Sequence, residues 1–511
     1  WPMAVVVSHI ADDFDALARA ALQRAQVADL IEIRLDRIGN PGEAALRAFI
    51  EACPKPVIVT VHGEEAFGTF SGSIDERIDI LSSAARAGAM FVDVDWTLSL
   101  VLGEMEGKCH RIVSRHDAHG TPADLSAFEA DVREVLYEGD VIKLVTHATC
   151  TEDGLRMLRF LREARGGLVA FCSGEAGSFT RLLAPIFGSP FTFAAPAEGA
   201  PTAPGQLRVG DLLARMPPGG LSPETAIFGV VGRPIGHSLS PWVHGMALKA
   251  AHLDAVYVAF EPQCWETFVG LLADENFRGL SVTAPFKRGA FELATERDGA
   301  SERVRAANTL VRDRDGWRAS NTDMPAIREI LERGLTVHAQ RCGERQGPLR
   351  ALVLGTGGAA SAALGALESL SAELALAGRD AQRTAELAGA FRARALGWNE
   401  VGEFPYDLLV HCTPIGGEGR PDGEPRLPLA PEALRPETLV LDAVYRPLVT
   451  PLLELARSRG CTVLPGGEWF VRQAQAQFEL FTHQAPDEQL MRASFEHALG
   501  LSGAPAPGGA P

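Results

Sequence analysis

Between residues 5 and 213 the hydrophobic pattern switches repeatedly between two periods. Short β-rich runs at 30–35, 56–61, 91–94, 111–114, 141–145, 168–172 and 191–193 alternate with amphipathic stretches such as 14–25, 74–87 and 152–165. Runs of the first kind read as buried strands, and stretches of the second kind as helices that bury one face. Seven or eight such βα units in about 215 residues predict a compact (β/α)₈ barrel over 1–215. An open doubly wound sheet is the alternative, and it needs fewer strands and a reversal of strand order.

The pattern breaks at Met216-Pro-Pro-Gly-Gly-Leu-Ser-Pro223, whose composition marks 216–224 as a linker. A second βα series starts at Ala226 and runs to about Asp323. The polar stretch 338–348 separates it from a third series, which opens with the strand 351–354. The Gly/Ala/Pro-rich end, 501–511, is expected to fray. The expected class is α/β throughout: an N-terminal barrel followed by a two-lobed α/β part.

Composition changes this picture little. Hydrophobic residues make up 46% and charged residues 22% of the 511, which is ordinary for a folded chain. The 65 acidic against 48 basic residues leave a net charge of −17, which argues against nucleic acid as a partner and leaves small anionic ligands open. Eight scattered cysteines without a Cys-x-x-Cys pair predict free thiols in a reducing, cytoplasmic setting. The opening Trp1-Pro2-Met3-Ala4 lacks a basic n-region, so no signal peptide is expected. The longest uncharged stretch, 351–367, is interrupted by Gly355, Gly357 and Gly358 and predicts strand, turn and helix, with no membrane span.

Candidate chemistry in the barrel half begins with Glu32, Arg34 and Asp36, which a two-residue period puts on one face of a strand opposite Ile31, Ile33 and Leu35. Charges pointing into a barrel need partners or a polar ligand. Lys143 stands in the otherwise apolar Val141-Ile-Lys-Leu-Val145, and a desolvated lysine is a candidate amine nucleophile. His116 ends the preceding strand and is a candidate general base. Arg181 and the loop Thr202-Ala-Pro-Gly-Gln206 add a cation and an amide, and in a barrel such groups converge on one mouth. No acidic or thiol residue near the histidines has metal-site spacing, so no metal is expected.

With these motifs the first half resembles type I 3-dehydroquinate dehydratases over nearly its full length. The resemblance implies that Lys143 forms a Schiff base with 3-dehydroquinate and that His116 moves the protons. It also implies that Glu32, Arg34, Arg181, Thr202 and Gln206 hold the ligand. Two positions depart from the family pattern. His62 in Thr60-Val-His62 stands where arginine is usual, and the glutamate that steadies the catalytic histidine falls at Ala66, just after Glu64 and Glu65.

In the second half, Gly355-Thr-Gly357-Gly358-Ala359 follows an apolar strand and precedes a small-residue helix, the setting in which backbone N–H groups bind pyrophosphate. This predicts a Rossmann-type domain. After the next strand, Arg379 and Arg383 suit the 2′-phosphate of NADP, while Asp380 leaves room for NAD. Upstream lie Gly236-His-Ser238-Leu-Ser240-Pro241, Ser281-Val-Thr283-Ala-Pro285-Phe-Lys287, Asn308-Thr309 and Asn321-Thr322-Asp323. Downstream lie His411-Cys-Thr413-Pro-Ile-Gly416 and Gly466-Gly-Glu-Trp-Phe-Val-Arg-Gln473.

As an ordered set these motifs resemble shikimate dehydrogenases over about residues 226–498. The resemblance implies a substrate-binding lobe over 225–330 completed by about 466–500, and an NADP-binding lobe over 345–465. Ser238, Ser240, Thr283, Asn308 and Gln473 are then the substrate-binding residues, Lys287 and Asp323 the proton-handling pair, and Thr413 a cofactor contact. The two halves in this order resemble the fused dehydratase–dehydrogenase of aromatic amino-acid biosynthesis, with 3-dehydroquinate, 3-dehydroshikimate and shikimate as ligands. A quinate-preferring dehydrogenase, a weak dehydratase half, or a protein that senses these ligands without turnover are the alternatives.

Overall fold

The computed structural model describes residues 3–23, 25–105, 107–164, 166–198, 201–418 and 427–501; the tail from Ser502 onward, expected to fray, lies outside them. The chain divides into two compact units, residues 1–227 with 251–277, and residues 228–250 with those from 278 onward. No described helix is long and apolar enough to cross a membrane.

The first unit carries eight strands: β1 (Ala4–Ile10), β2 (Leu30–Arg34), β3 (Val57–Thr60), β4 (Phe91–Asp95), β5 (His110–Asp117), β6 (Val141–His147), β7 (Leu168–Ser173) and β8 (Phe191–Ala194). Their order is β7-β6-β5-β4-β3-β2-β1-β8, and every neighbouring pair is parallel. Parallel neighbours need crossover connections, which is why amphipathic helices fall between them in sequence. The result is the expected barrel, hydrogen-bonded around all but the β7–β8 seam among the described residues.

Along each strand the inward positions change character. Val6, Leu30, Ile58, Phe91, Ile112 and Val141 belong to one apolar cluster with Phe171, Phe191 and Phe193. Two residues further along the same strands stand Ser8, Glu32, Thr60, Asp93, Ser114 and Lys143, all buried. A two-residue step keeps a side chain on the same face. An apolar floor is therefore overlaid by a polar layer nearer the C-terminal ends of the strands, the end where barrels of this kind place their chemistry.

Strands β9 (Ala226–Val231), β10 (Ala255–Phe260), β11 (Phe277–Val282), β12 (Glu296–Arg297), β13 (Thr309–Asp313) and β14 (Gly316–Ser320) form a sheet of order β10-β9-β11-β13-β14-β12. A third sheet contains β15 (Arg350–Leu354), β16 (Glu373–Ala377), β17 (Arg394–Leu396), β18 (Leu408–His411), β19 (Leu439–Asp442) and β20 (Thr462–Leu464). Its order is β17-β16-β15-β18-β19-β20, parallel throughout. The order reverses between β15 and β18, and the crevice outside the C-terminal ends of such strands is where doubly wound sheets bind ligands.

Alternation along these strands feeds two cores. Ala351, Val353, Leu374, Leu376, Leu408 and Val410 face the helices Asp323–Cys342 and Gly358–Ser369. Leu352, Leu354, Ala375, Ala377 and Leu409 face the helix Pro451–Ser458. One expectation needs correction. The polar stretch 338–348 is not wholly a connector, because helix Asp323–Cys342 runs into it. Its last turns are largely solvent-exposed and so carry no apolar stripe by which sequence could mark them as helical.

Candidate active sites

One cavity of the first unit is lined by Ser8, Glu32, Arg34, His62, His116, Lys143, Arg181, Thr202 and Gln206, with Ala66, Phe67, Phe171 and Phe193. All seven barrel residues expected to react with or hold the ligand are in it, while Asp36, on the same strand face by sequence, is not among the lining residues. Lys143, for which the sequence shows no partner, donates from Nζ to Asp93 Oδ2 at 2.7 Å and lies 4.4 Å from the centre of the Phe193 ring. Burial pushes the Asp93 carboxyl up, but the charges of Lys143 and His62 outweigh it and hold the group well below the usual carboxylate range. His116 is held well below the usual imidazole range, by burial first and then by the charges of His62 and Lys143. A neutral imidazole has a lone pair with which to accept a proton.

The ligand-holding candidates differ in how they are engaged. Glu32 accepts from the Ser8 hydroxyl and from Thr60 Oγ1, the latter at 2.7 Å. Arg34 is pinned to Asp36 at 2.5 Å and donates to the carbonyl oxygens of Thr202 at 3.1 Å and Phe67 at 3.3 Å, so it ties two loops to β2. Thr202 donates from both N and Oγ1 to Gln206 Oε1 at 2.9 Å. Arg181, on the short helix Phe179–Leu183, is buried against the Phe171 ring at 4.4 Å and makes no ion pair among the described residues. Burial pushes its guanidinium down to about 10. A buried cation without a counter-charge is costly unless an anion arrives to pair with it.

Ala66 lines the cavity and brings no carboxylate; Glu64 is not among the lining residues, and the side chain of Glu65 lies outside those described. The residue that sequence reasoning missed is Asp93. Its signal was present, since Phe91-Val-Asp-Val-Asp95 places two acids with a two-residue period in an apolar strand.

The second unit gathers a different set. Lys287 opens the helix Lys287–Leu293 and Asp323 opens the helix Asp323–Cys342. Lys287 Nζ donates to Asp323 Oδ2 at 2.6 Å, and Trp469 Nε1 donates to Oδ1 at 2.8 Å. Asn308 is buried, accepts from Thr322 N at 2.8 Å, and donates to Thr322 Oγ1 at 2.9 Å and Gln473 Oε1 at 3.4 Å. Ser240 N donates to Ser238 Oγ at 3.3 Å at the start of the helix Ser240–Ala250. Among the described residues no hydrogen bond joins Ser238, Ser240 or Thr283 to Lys287, Asn308, Asp323 or Gln473. Trp469 was missed because only the fold brings residue 469 to residue 323.

The glycine turn sits at the β15–β18 reversal. Gly355 has φ +118°, and a Cβ there would lie 3.0 Å from the Cys412 carbonyl oxygen after β18. Gly357 caps the helix Gly358–Ser369 without a side-chain hydrogen bond, and a Cβ on Gly357 would meet nothing within 4 Å. The first turn of this helix therefore has no side-chain cap at its N-terminus, and uncapped first-turn N–H groups are what a pyrophosphate requires. Arg379 and Arg383 are exposed and make no ion pair among the described residues. Asp380 Oδ1 accepts from Arg383 N at 3.0 Å and so caps the helix Ala381–Ala390. Thr413 Oγ1 lies 2.5 Å from His411 Nε2, whose ring is held through Nδ1 by Asp442 at 2.8 Å. That pairing follows from the β18–β19 register and has no trace in the linear sequence.

A barrel built around a buried lysine and a neutral histidine, in one chain with a doubly wound dinucleotide-type sheet, defines a two-site α/β enzyme. Residues 5–215 match the type I 3-dehydroquinase family, and residues 230–310 match the shikimate dehydrogenase substrate binding domain. The chloroplastic bifunctional 3-dehydroquinate dehydratase/shikimate dehydrogenase of Arabidopsis thaliana is 31% identical over 499 residues, 94% of this chain and 82% of the relative. An NADP(+) shikimate dehydrogenase of Maridesulfovibrio salexigens is 35% identical over 269 residues, 52% of this chain and 94% of that protein. Among solved structures, a shikimate 5-dehydrogenase of Thermus thermophilus in complex with NADP(H) and shikimate is 32% identical, with a TM-score of 0.46 over 54% of this chain and 100% of that one. The chain belongs to the bifunctional 3-dehydroquinate dehydratase/shikimate dehydrogenase family.

Proposed function

We propose that the chain converts 3-dehydroquinate to 3-dehydroshikimate in its barrel and reduces 3-dehydroshikimate to shikimate in its second half, with NADPH as reductant. The first reaction is assigned to residues 1–215, followed by the linker 216–224. The second is assigned to a substrate lobe over 225–330, completed by about 466–500, and a nucleotide lobe over 345–465. The observation that carries the first assignment is the buried, unpaired Arg181 in one cavity with Lys143 and His116. That set fits a cyclic ketone bearing a carboxylate, and free cysteines throughout fit a reducing, cytoplasmic setting.

In the barrel, Arg181 and Arg34 pair with the substrate carboxylate, and Glu32, Thr202 and Gln206 hold its hydroxyls. The Lys143 amine adds to the C3 carbonyl, and loss of water leaves an iminium. The iminium acidifies the neighbouring C2–H, whose proton passes to His116 as the electron pair moves into an enamine. That pair then expels the C1 hydroxyl, which leaves as water with the proton from His116. Hydrolysis of the remaining iminium frees Lys143.

In the second half, the glycine turn Gly355, Gly357, Gly358 and Ala359 fits a pyrophosphate. Arg379 and Arg383 fit a 2′-phosphate, because Asp380 is spent capping its helix. NADPH, when bound there, supplies a hydride for the ketone carbon. Lys287 delivers a proton to the ketone oxygen, and Asp323, fixed by Trp469, holds the ammonium in place for it. Ser238, Ser240, Thr283, Asn308 and Gln473 orient the ring, and Thr413 flanks the cofactor.

Borohydride trapping with 3-dehydroquinate tests the covalent step. The expected result is an adduct on the peptide containing Lys143, absent in Lys143→Met, which also loses dehydration and keeps NADPH-dependent reduction. An adduct on another lysine, or none in the unsubstituted chain, overturns the assignment.

A further inference from the structure

The barrel cavity holds a second imidazole that the mechanism above leaves without a task. His62 follows β3, its side chain is 2% exposed, and neither ring nitrogen has a hydrogen-bond partner among the described residues. Its backbone is held from three sides. His62 N donates to Asp36 Oδ1 at 3.0 Å, and Phe70 N donates to the His62 carbonyl at 3.0 Å. A Cβ on Gly68 would fall 2.0 Å from that same carbonyl oxygen, so the loop is folded tightly onto this residue.

The ring is thereby placed between two groups of the site. His62 Nε2 lies 3.4 Å from Asp93 Oδ1, while the other oxygen of Asp93 holds Lys143. The His62 and His116 rings meet edge to face, with centroids 4.9 Å apart and planes at 67°. His116 needs such support, because its Nδ1 is buried without a hydrogen-bond partner. Besides His62, the aromatic ring that braces it is Phe67, at 5.9 Å and 75°. No carboxylate is hydrogen-bonded to His116 among the described residues. A ring that no hydrogen bond fixes is oriented by the edges and faces packed on it.

We propose that His62 is a positioning residue for dehydration: anchored beside Asp93, it holds the His116 ring in the orientation that takes the substrate proton. This rests on the roles given to Lys143 and His116 above. The arrangement also bears on pH. The groups facing His116 on the cavity side are His62 from the loop after β3, Asp93 on β4, Lys143 on β6 and Arg34 on β2, with Glu32 and Arg181 in the same cavity, while Glu64, Arg115, Asp117 and His119 line a second cavity with it. Of these, His62, Lys143 and Arg34 push His116 down and Asp93 pushes it up.

Two substitutions in the full chain separate shape from charge. His62→Ala removes the brace and the nitrogens, and His62→Phe keeps a ring and removes the nitrogens alone. Borohydride labelling of Lys143 reports that the barrel site is formed, and shikimate oxidation with NADP reports the second unit. For His62→Ala the dehydratase kcat is expected to fall by about 10- to 100-fold with KM within about twofold, a part of the 10²–10⁴ that an acid–base group supplies. For His62→Phe the fall is smaller, and the acid limb of kcat moves to higher pH as a like charge beside His116 is lost. If kcat and the acid limb are unchanged in both variants while Lys143 still labels, His62 has no such role. A rise in KM at constant kcat likewise overturns it, since His62 then binds substrate. Absence of labelling in the unsubstituted chain is a different failure, because it removes the Schiff-base reading on which this inference stands.

Discussion

At Asp93 one carboxylate faces two basic side chains, accepting from Lys143 through Oδ2 and lying 3.4 Å from His62 Nε2 through Oδ1. Replacing it with Asn leaves the Lys143 ammonium buried without a counter-charge, and breaking such a pair from one side costs about 3–5 kcal/mol. Asp93→Asn is therefore expected to lower the urea midpoint of the barrel transition while the second unit keeps its own. The pH dependence follows from the sign of the shift. The folded carboxyl is depressed, so its stabilisation is present above the unfolded value of about 3.9 and is lost as pH falls through the folded one. Acid unfolding of the barrel below about pH 4 should lose that component in the Asn variant, and circular dichroism against pH measures it. If acid and urea transitions of the barrel are unchanged, Asp93 does not carry the charge balance of the site.

At the scale of elements, the helix Gly358–Ser369 brings the glycine turn against Lys287. A Cβ on Gly358 would sit 2.7 Å from Lys287 Cδ, so the glycine makes room for the stem of the lysine that Asp323 holds. Gly358→Ala puts a better helix former in the first turn, so helix propensity is not lost, and it pushes Lys287 aside. Misplacement of a reacting group by about 1 Å can cost about 10²-fold. The expected outcome in steady-state assays is a loss of shikimate dehydrogenation of that order with dehydration untouched. An unchanged dehydrogenase kcat would show that Lys287 accommodates the methyl. The element-level pattern was legible in advance, because a glycine run between an apolar strand and a small-residue helix has few other readings. The contact with Lys287 was not, since 71 positions separate the two residues in the chain.

For the whole molecule, the two sites draw on separate residues, and each unit builds its own. Lys143→Met is expected to abolish dehydration alone and Lys287→Met to cripple reduction alone. Mixed together, the two variants should turn 3-dehydroquinate into shikimate, because 3-dehydroshikimate released by one chain reaches the intact second site of the other. Following NADPH absorbance after addition of 3-dehydroquinate checks this. A mixture that stays silent while each single reaction persists would show that the intermediate does not pass through solution.

The alternation of strands and helices, the glycine turn and the types of most reactive residues were legible along the chain before any fold was known. These depend on short-range periodicity and turn chemistry, which are written in neighbouring positions. Tertiary structure alone decided the pairings: Lys143 with Asp93, His62 against His116, Asp323 between Lys287 and Trp469, His411 on Asp442. Each joins groups from different strands or helices, so its distance depends on sheet register and loop closure. Only the folded chain shows which charge balances which.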